Sequence, residues 1–383
     1  HQLPHADRPH HGLGARPHAD HPARRGIFTG TRDESRTVHA LILHDSVADG
    51  ARADETDVLE QAAAVEAALA RLGHTASRLA CSADLAAAAA TIRAANPDLV
   101  FNLFESALGT GRLIHLAPAL LESLGVAFTG AGADATYLTS NKLLSKRLMR
   151  SHGIPTPTWL TIDDALRTPP IDPGRYIVKS VWEHASVGLD EDSVIDVQHW
   201  RDLHRGLLAR SAALGGDGFA EKFIAGREFD LALLAAPQDD GPTRAAPQVL
   251  PPAEIVFEGY GPNKPTVVGY RAKWASDSYE YHHTPRRFEF PASDAPLLEE
   301  IAHIAQRCWS LFNLRGYARV DFRIDEDGRP WVLEVNTNPC LSPEAGYAAA
   351  LAQAGLSLDD AVARILADAH PKRTIAIGAT GNS

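Results

Sequence analysis

Asp321, Glu334 and Asn336 are the residues whose spacing most directly suggests chemistry, because two short segments would bring them together. ARVDFRI (318–324) and PWVLEVN (330–336) are rich in Val, Ile, Phe and Trp and alternate in polarity, which predicts two β-strands. Between them, DEDGR (325–329) contains Asp327-Gly328, a hairpin signal. A turn centred there sets Asp321 opposite Glu334 and Arg319 opposite Asn336. Val320, Phe322 and Ile324 then share the other face with Leu333 and Val335. Directly opposed side chains lie roughly 4.5–5.5 Å apart at Cβ, and like charges there repel. Two carboxylates so placed need a counter-charge. Mg²⁺ would provide it, since it binds through one or two carboxylates plus substrate phosphates, and Asn336 adds an oxygen donor at strand spacing from Glu334. Arg319 and Arg323, on the same face, would provide it too.

Other residues fit phosphate chemistry, each with a plainer reading beside it. Lys179 ends the strand-like YIVKS, as a point charge for phosphate or as a solvated edge residue. The loop EHASVGLDED (183–192) follows, with small residues, Ser186 among them, that let backbone N–H groups approach phosphate oxygens. Glu221 and Glu228 flank a turn at Gly226, as acceptors for a purine amino group or ribose hydroxyls, or as surface charges. Lys273 in YRAKW is equally two-sided. TGAGADAT (129–136) imitates a dinucleotide fingerprint, but it follows several βα units and lacks the acid about 20 residues on. GxxxxGK[ST] and GxSxG are both absent, which excludes a P-loop and a nucleophile elbow. Cys340 reads as a packed cysteine and His282-His283 as loop residues.

These groups need elements to hold them. TVHALILH (37–44), HTASRLA, PDLVFNLFE and VAFTG read as strands alternating with helices over 55–73, 83–95 and 111–125, a parallel α/β sheet. TSNKLLSKRLMRSHGI (139–154) predicts a helix capped by Thr139 or Ser140. RYIVKS, GFAEKFI and REFDLALLA read as strands of a second, small unit. Residues 294–314 place apolar side chains at 297, 298, 301, 304, 305, 308, 309 and 312, a helical stripe leading into the hairpin. The expected division is a His-, Pro- and Arg-rich segment 1–36, disordered or loosely attached; an α/β substrate domain 37–135; a central small domain 136–235; a C-terminal catalytic domain 236–372; and a flexible tail 373–383.

Composition sets outer limits. The chain has 383 residues, 45% hydrophobic and 22% charged, enough for two or three packed units. A net charge of −11 argues against nucleic acid. There is no apolar run of membrane length. Three scattered cysteines form neither a disulfide framework nor a zinc pattern, so a cytoplasmic location is expected.

Taken in order, TSNKLLSKRLMRSHGIPTP, YIVKSVWEHASVGL, AEKFIAGREFDLALL, GYRAKWASDSYEY, GYARVDFRIDEDG and LEVNTNPCLSPEAGYAAALAQAGLS resemble the ATP-grasp ligases, and among them the D-alanine–D-alanine ligase family, over residues 98–367. The resemblance implies a three-domain α/β (in part α+β) fold with nucleotide held between the central and C-terminal domains. It implies that Lys142 and Lys179 grip ATP phosphates beside Ser186, that Glu221 is the hinge acid near adenine, and that Glu228 holds the ribose. Lys273 reaches the terminal phosphates, Asp321, Glu334 and Asn336 ligate two Mg²⁺ ions (Mn²⁺ as an alternative), and Arg319 steadies the acyl phosphate and tetrahedral intermediate. A homodimer is a candidate assembly.

The departures from the family pattern fall on the substrate side. HDSVADGARADETD (44–57) replaces the family's first loop, with Asp54 or Glu55 near the acid that would grip the first substrate's ammonium. NLFES (102–106), with Glu105, replaces a His-Gly. Ala185 and Trp274 replace a serine and a tyrosine of the lid. Cys340 replaces a glycine, and Ala345 stands where a serine contacts the second substrate's carboxylate. The expectation is an ATP-dependent carboxylate–amine ligase, working through an acyl phosphate on small amino-acid-like substrates other than D-alanine. The alternatives are true D-alanine–D-alanine ligation and a non-catalytic ATP-binding module.

Overall fold

In the computed structural model of the chain, residues 37–106, 108–168, 170–184, 186–237 and 244–371 are described. The expectations for 1–36, 373–383 and Ala185 lie outside them. The first layer is a parallel sheet: β1 (His39–Asp45), α1 (Ala53–Arg71), β2 (Thr75–Cys81), α2 (Leu85–Ala95), β3 (Leu99–Asn102) and α3 (Leu116–Leu124), in strand order β2-β1-β3. β1 is apolar over Ala40–Leu43 and buried there on both faces, as parallel strands between helices must be. VAFTG adds only a bridge at Phe128, which pairs with Val100 and His370.

Residues 139–154 do not form one helix. α4 (Ala133–Ser140) ends and α5 (Lys142–Ser151) begins at Asn141, whose Oδ1 accepts from Leu143 N (3.1 Å) and Leu144 N (3.0 Å). Asn141 is the cap because Thr139 spends its hydroxyl on Ala135 O (2.9 Å) inside the preceding helix. The glycines before α4 hold no phosphate-type opening, since Glu122 Oε1 accepts from Ala133 N (2.9 Å).

A four-stranded antiparallel sheet follows: β4 (Trp159–Thr161), α6 (Ile162–Leu166), β5 (Gly174–Ser180), β6 (Val194–Val197), α7 (Trp200–Arg210) and β7 (Gly218–Lys222), in order β4-β7-β5-β6. β8 (Arg227–Leu234), expected in this unit, belongs instead to the largest sheet, where it pairs along its whole length with β12 (Tyr317–Ile324). The intervening elements are β9 (Gln248–Val249), β10 (Ala253–Ile255), α8 (Tyr270–Trp274), α9 (Tyr279–His282), β11 (Arg286–Arg287) and α10 (Ala295–Leu311). β13 (Pro330–Asn336), α11 (Gly346–Gln353) and α12 (Leu358–Ala367) complete it, in strand order β11-β10-β8-β12-β13 with β9 on β8. The α10 stripe faces this sheet as expected: Ile301, Ile304, Ala305, Cys308, Trp309 and Phe312 are buried against Val320, Phe322 and Val335. Each such aliphatic or aromatic side chain contributes about 1.5–3 kcal/mol. A second core joins α1 and β1 to Tyr317, Tyr347, Leu351 and Val362, so the substrate layer and the C-terminal helices share one interior.

β7 passes to β8 across residues 223–226, the crossing between the small and large sheets. Gly226 sits there at φ 122°, and a Cβ would collide with the carbonyl oxygen of Ile324. Gly226→Ala should therefore destabilise the chain by about 1–3 kcal/mol, the scale of local backbone strain, read as a lower urea midpoint at unchanged m. An unaltered midpoint would show that the crossing tolerates a side chain.

Candidate active site

The β12–β13 hairpin has the expected register at its functional end, with Asp321 opposite Glu334 and Arg319 opposite Asn336. A bulge between Asp321 and Phe322 then shifts the pairing to Phe322–Val332. As a result Val332, not Leu333, enters the core, and Leu333 joins Glu334 in lining a cavity. On the other side, β8 sets Asp230 opposite Asp321. Asp230, Asp321 and Glu334 therefore form one row of acids across three strands. Asp230 was not anticipated, although it stands two residues from Glu228 on the same face.

Cations enclose this row. Arg319 folds back along its own strand and grips Asp321 in a bidentate pair, Nε–Oδ1 2.6 Å and Nη2–Oδ2 2.7 Å, and stands 4.0 Å from Asp230. Lys142 Nζ, at the start of α5, lies 3.3 Å from Glu334 Oε2 and donates to Glu183 O at 2.7 Å. Arg323 pairs with Glu228 at 2.7 Å. Burial pushes the Asp321 carboxyl up to about 6, Arg319 opposing and Asp230 and Glu334 adding to the rise. Glu334 is buried as well, but Lys142, His184, Lys273 and Arg319 outweigh that and hold it well below the ordinary carboxylate range.

A cavity of about 90 Å³ between the small and large sheets is lined by Lys142, Lys179, Ser186, Glu228, Lys273, Asp321 and Glu334. Glu221, expected near a base, is absent from that lining. It is 1% exposed, and its carboxylate is spent on Lys146 and on Lys179 (2.9 Å). Burial alone would raise its pKa, but the two ammonium groups lower it and keep it ionised. In this structure its carboxylate holds Lys179 in place. Lys146, one turn after Lys142, also went unanticipated. Ser186 adopts φ 61° and donates its hydroxyl to Val268 O (2.8 Å).

A larger cavity of about 420 Å³ adjoins the first, sharing Lys273, Glu334, Asp230 and His184. It contains Arg319, Asn336, Asp54, Glu55, Glu105 and Ala345. Asp54 is held by Arg52 (3.1 Å) and by the Tyr270 hydroxyl (2.7 Å), and Glu55 by the Arg52 backbone N–H (2.8 Å). Asp57 accepts from the Cys340 thiol (2.8 Å) and Ser342 (2.7 Å), while Gln61 donates to Glu105 (2.8 Å). Burial, reinforced by Asp45, pushes Glu105 up to about 8. The same causes leave Cys340 a protonated thiol: burial and Asp57 push it far up. Burial and the cations Lys142, Lys273 and Arg319 lower His184 to about 4, so the imidazole is neutral. His282, expected in a loop, is the last residue of α9, and His283 stacks on Tyr279 with ring centroids 3.7 Å apart.

Among the described residues no group of three or more His, Cys, Asp or Glu is arranged to hold a metal by itself. The oxygens of Asp321 and Glu334, with the Asn336 amide accepting from Asn338 N (2.9 Å), are a donor set that suits a hard cation completing its shell with phosphate oxygens and water.

The family model described as D-ala D-ala ligase C-terminus matches residues 173–367. A D-alanine–D-alanine ligase of Bordetella petrii is 32% identical over 288 residues, covering 74% of this chain and 79% of that protein. The chain belongs to the D-alanine–D-alanine ligase family. A Synechococcus ligase of the same name is 30% identical over 87% of this chain and 96% of its own length. Membership makes the chain an ATP-dependent carbon–nitrogen ligase by class. The fold agrees: the crystal structure of a Bacillus anthracis D-alanine–D-alanine ligase complexed with ATP superposes with a TM-score of 0.61, at 18% identity, over 87% of this chain and 97% of that one. No described helix is long and apolar enough to cross a membrane.

The raised Glu105 of this ligase-family chain makes stability fall as pH rises. Its folded pKa lies above the ordinary glutamate value of 4.5, so between about 4.5 and 8 the native state holds a proton that the unfolded chain has lost. Glu105→Gln should gain stability over the parent steadily across that window and level off above it, in denaturant titrations at a series of pH values. A difference independent of pH would remove Glu105 from the buried-acid account.

Proposed function

We propose that the chain uses ATP to join an amino-acid-like carboxylate to an amine, and that its substrates are not a pair of D-alanines. The observation carrying this is the junction of two cavities over Lys273, Glu334 and Asp230, one rimmed by lysines and the other by carboxylates. Lys142, Lys179 and Lys273 offer positive charge to the polyphosphate. Arg319 stands on the substrate side of the same acids.

A carboxylate resists nucleophiles because it is already an anion. Transfer of the γ-phosphoryl to its oxygen gives an acyl phosphate and ADP. The amine nitrogen then attacks the acyl carbon and loses a proton, and inorganic phosphate departs. The chain's own part is to align the two oxygens about phosphorus and to neutralise charge, which Lys142, Lys179, Lys273 and Arg319 do from fixed positions. Asp321, Glu334 and Asn336 would hold Mg²⁺, which would add positive charge beside the transferring phosphoryl group.

Support for other substrates comes from the wall of the larger cavity. Ala345 offers a methyl group where the resemblance places a serine hydroxyl. Asp54 and Asp57 are committed to neighbouring side chains. The reading is tested by substrate-dependent ADP release over a panel of amino acids and amines, D-alanine included. Asp321→Asn and Glu334→Gln should each lower turnover by about 100- to 1,000-fold. Unchanged turnover in both variants sinks the reading, activity confined to D-alanine favours dipeptide synthesis, and nucleotide binding with no turnover favours a non-catalytic module.

A further inference from the structure

The loop after β5 holds a side chain that no role above employs. Both ring nitrogens of His184 are buried and lack a hydrogen-bond partner among the described residues. A buried group left unpaired costs about 1–3 kcal/mol, so a folded chain that keeps one has a reason for it. His184 lines both cavities, within the field of Lys142, Lys273, Arg319 and Glu334. The backbone around it is pinned: Lys142 Nζ binds Glu183 O (2.7 Å) just before it, and Ser186 Oγ binds Val268 O (2.8 Å) just after. Opposite, Gly111 leaves room for the loop, since a Cβ there would lie 2.7 Å from Trp182 O and 3.1 Å from His184 Cδ2. The main chain is thus fixed while the imidazole is uncommitted.

We propose that His184 is a further catalytic residue that donates a ring N–H to the phosphoryl group as it passes from nucleotide to carboxylate. The assignment rests on the ligase reading above. The bond between γ-phosphorus and the β–γ bridging oxygen breaks as the carboxylate oxygen bonds to phosphorus, and the imidazole keeps its proton throughout. Three of the cations nearby are ion-paired with carboxylates, Lys142 with Glu334, Lys179 with Glu221 and Arg319 with Asp321, and Lys273 stands beside them, so a neutral N–H adds a donor of another kind. An imidazole carries at least one N–H in either protonation state. A donor at the meeting point of the cavities serves the phosphoryl group at both ends of its path, and its bond strengthens as charge develops on the oxygens.

Two measurements test the assignment and separate it from the ligase reading. In full-length chain labelled with ¹⁵N-histidine, the ring resonances lost in His184→Gln should shift with Mg–AMPPNP and stay put with Mg–ADP, which lacks the third phosphoryl. In turnover assays, His184→Asn and His184→Gly should lower kcat by about 100-fold with little change in KM for ATP, and added imidazole should restore part of the His184→Gly loss. Equal resonance shifts with both nucleotides, no shift with either, or full turnover in both variants overturns the proposal. Should the parent chain release no ADP with any substrate, the ligase reading fails and the resonance comparison alone decides His184.

Discussion

Three carboxylates in register across neighbouring strands, Asp230, Asp321 and Glu334, set the terms for everything built around them. Such a row is costly to fold, because buried like charges repel and each has left water. The chain meets part of that cost with its own cations, each from a separate element: Arg319 from β12, Lys142 from the first turn of α5, and Lys273 from α8. The remainder appears as a raised Asp321, burial outweighing the grip of Arg319. A site in that condition would be relieved by further positive charge, because the protein's own cations do not cancel the repulsion. Glu334 stays ionised throughout, held so by the cations around it.

Positive charge for the phosphates is mounted on a different sheet, and that mounting is itself a buried ion cluster. Lys146, Glu221 and Lys179 lie between α5, β7 and β5, with the first two almost fully enclosed. Desolvation makes such a cluster a poor source of net stability. What it does fix is the position of Lys179, since leaving Glu221 unpaired would strand a buried charge. The Lys146 ammonium also donates to Thr156 (2.7 Å), whose hydroxyl donates in turn to Val332 O (2.8 Å) on the catalytic hairpin. The lysine sheet and the acid sheet are thereby referred to one another by hydrogen bonds, while the backbone between them narrows to the crossing at Gly226.

The facing of Asp321 and Glu334 was legible because an Asp-Gly turn fixes strand register and register fixes which side chains meet. The α10 stripe was legible because helical periodicity over 17 residues is hard to mistake. The bulge beside Asp321 was not: it comes from the fit of β13 against neighbours distant in sequence, and it moved Leu333 from the core to the cavity. Glu221 looked like a free acid because its partner Lys146 sits 75 positions away. β8 was placed with the wrong sheet because an apolar strand does not announce its neighbours. His184 lay inside a loop read for its small residues, and only the fold shows that its ring nitrogens have no hydrogen-bond partner among the described residues.

The two ends of the site ride on different elements, so one can be altered without moving the other. The end lined by lysines and carboxylates rests on α5, β5, β12 and β13. The wall of the larger cavity comes from α1, the segment after β3, and residues 340–345. These wall elements are bonded mainly to each other: Asp57 to Cys340 and Ser342, Gln61 to Glu105 and the Leu341 backbone, Asn338 to Phe104. The contacts cross from the first layer to the loop that leaves β13, so the wall is held at a set distance from Glu334. A substitution within the wall would then alter its shape and charge without moving Asp321, Glu334 or Asn336. Ala345 and Glu105, whose carboxyl is raised by burial, are wall positions of that kind, separate from the strands that set the row of acids.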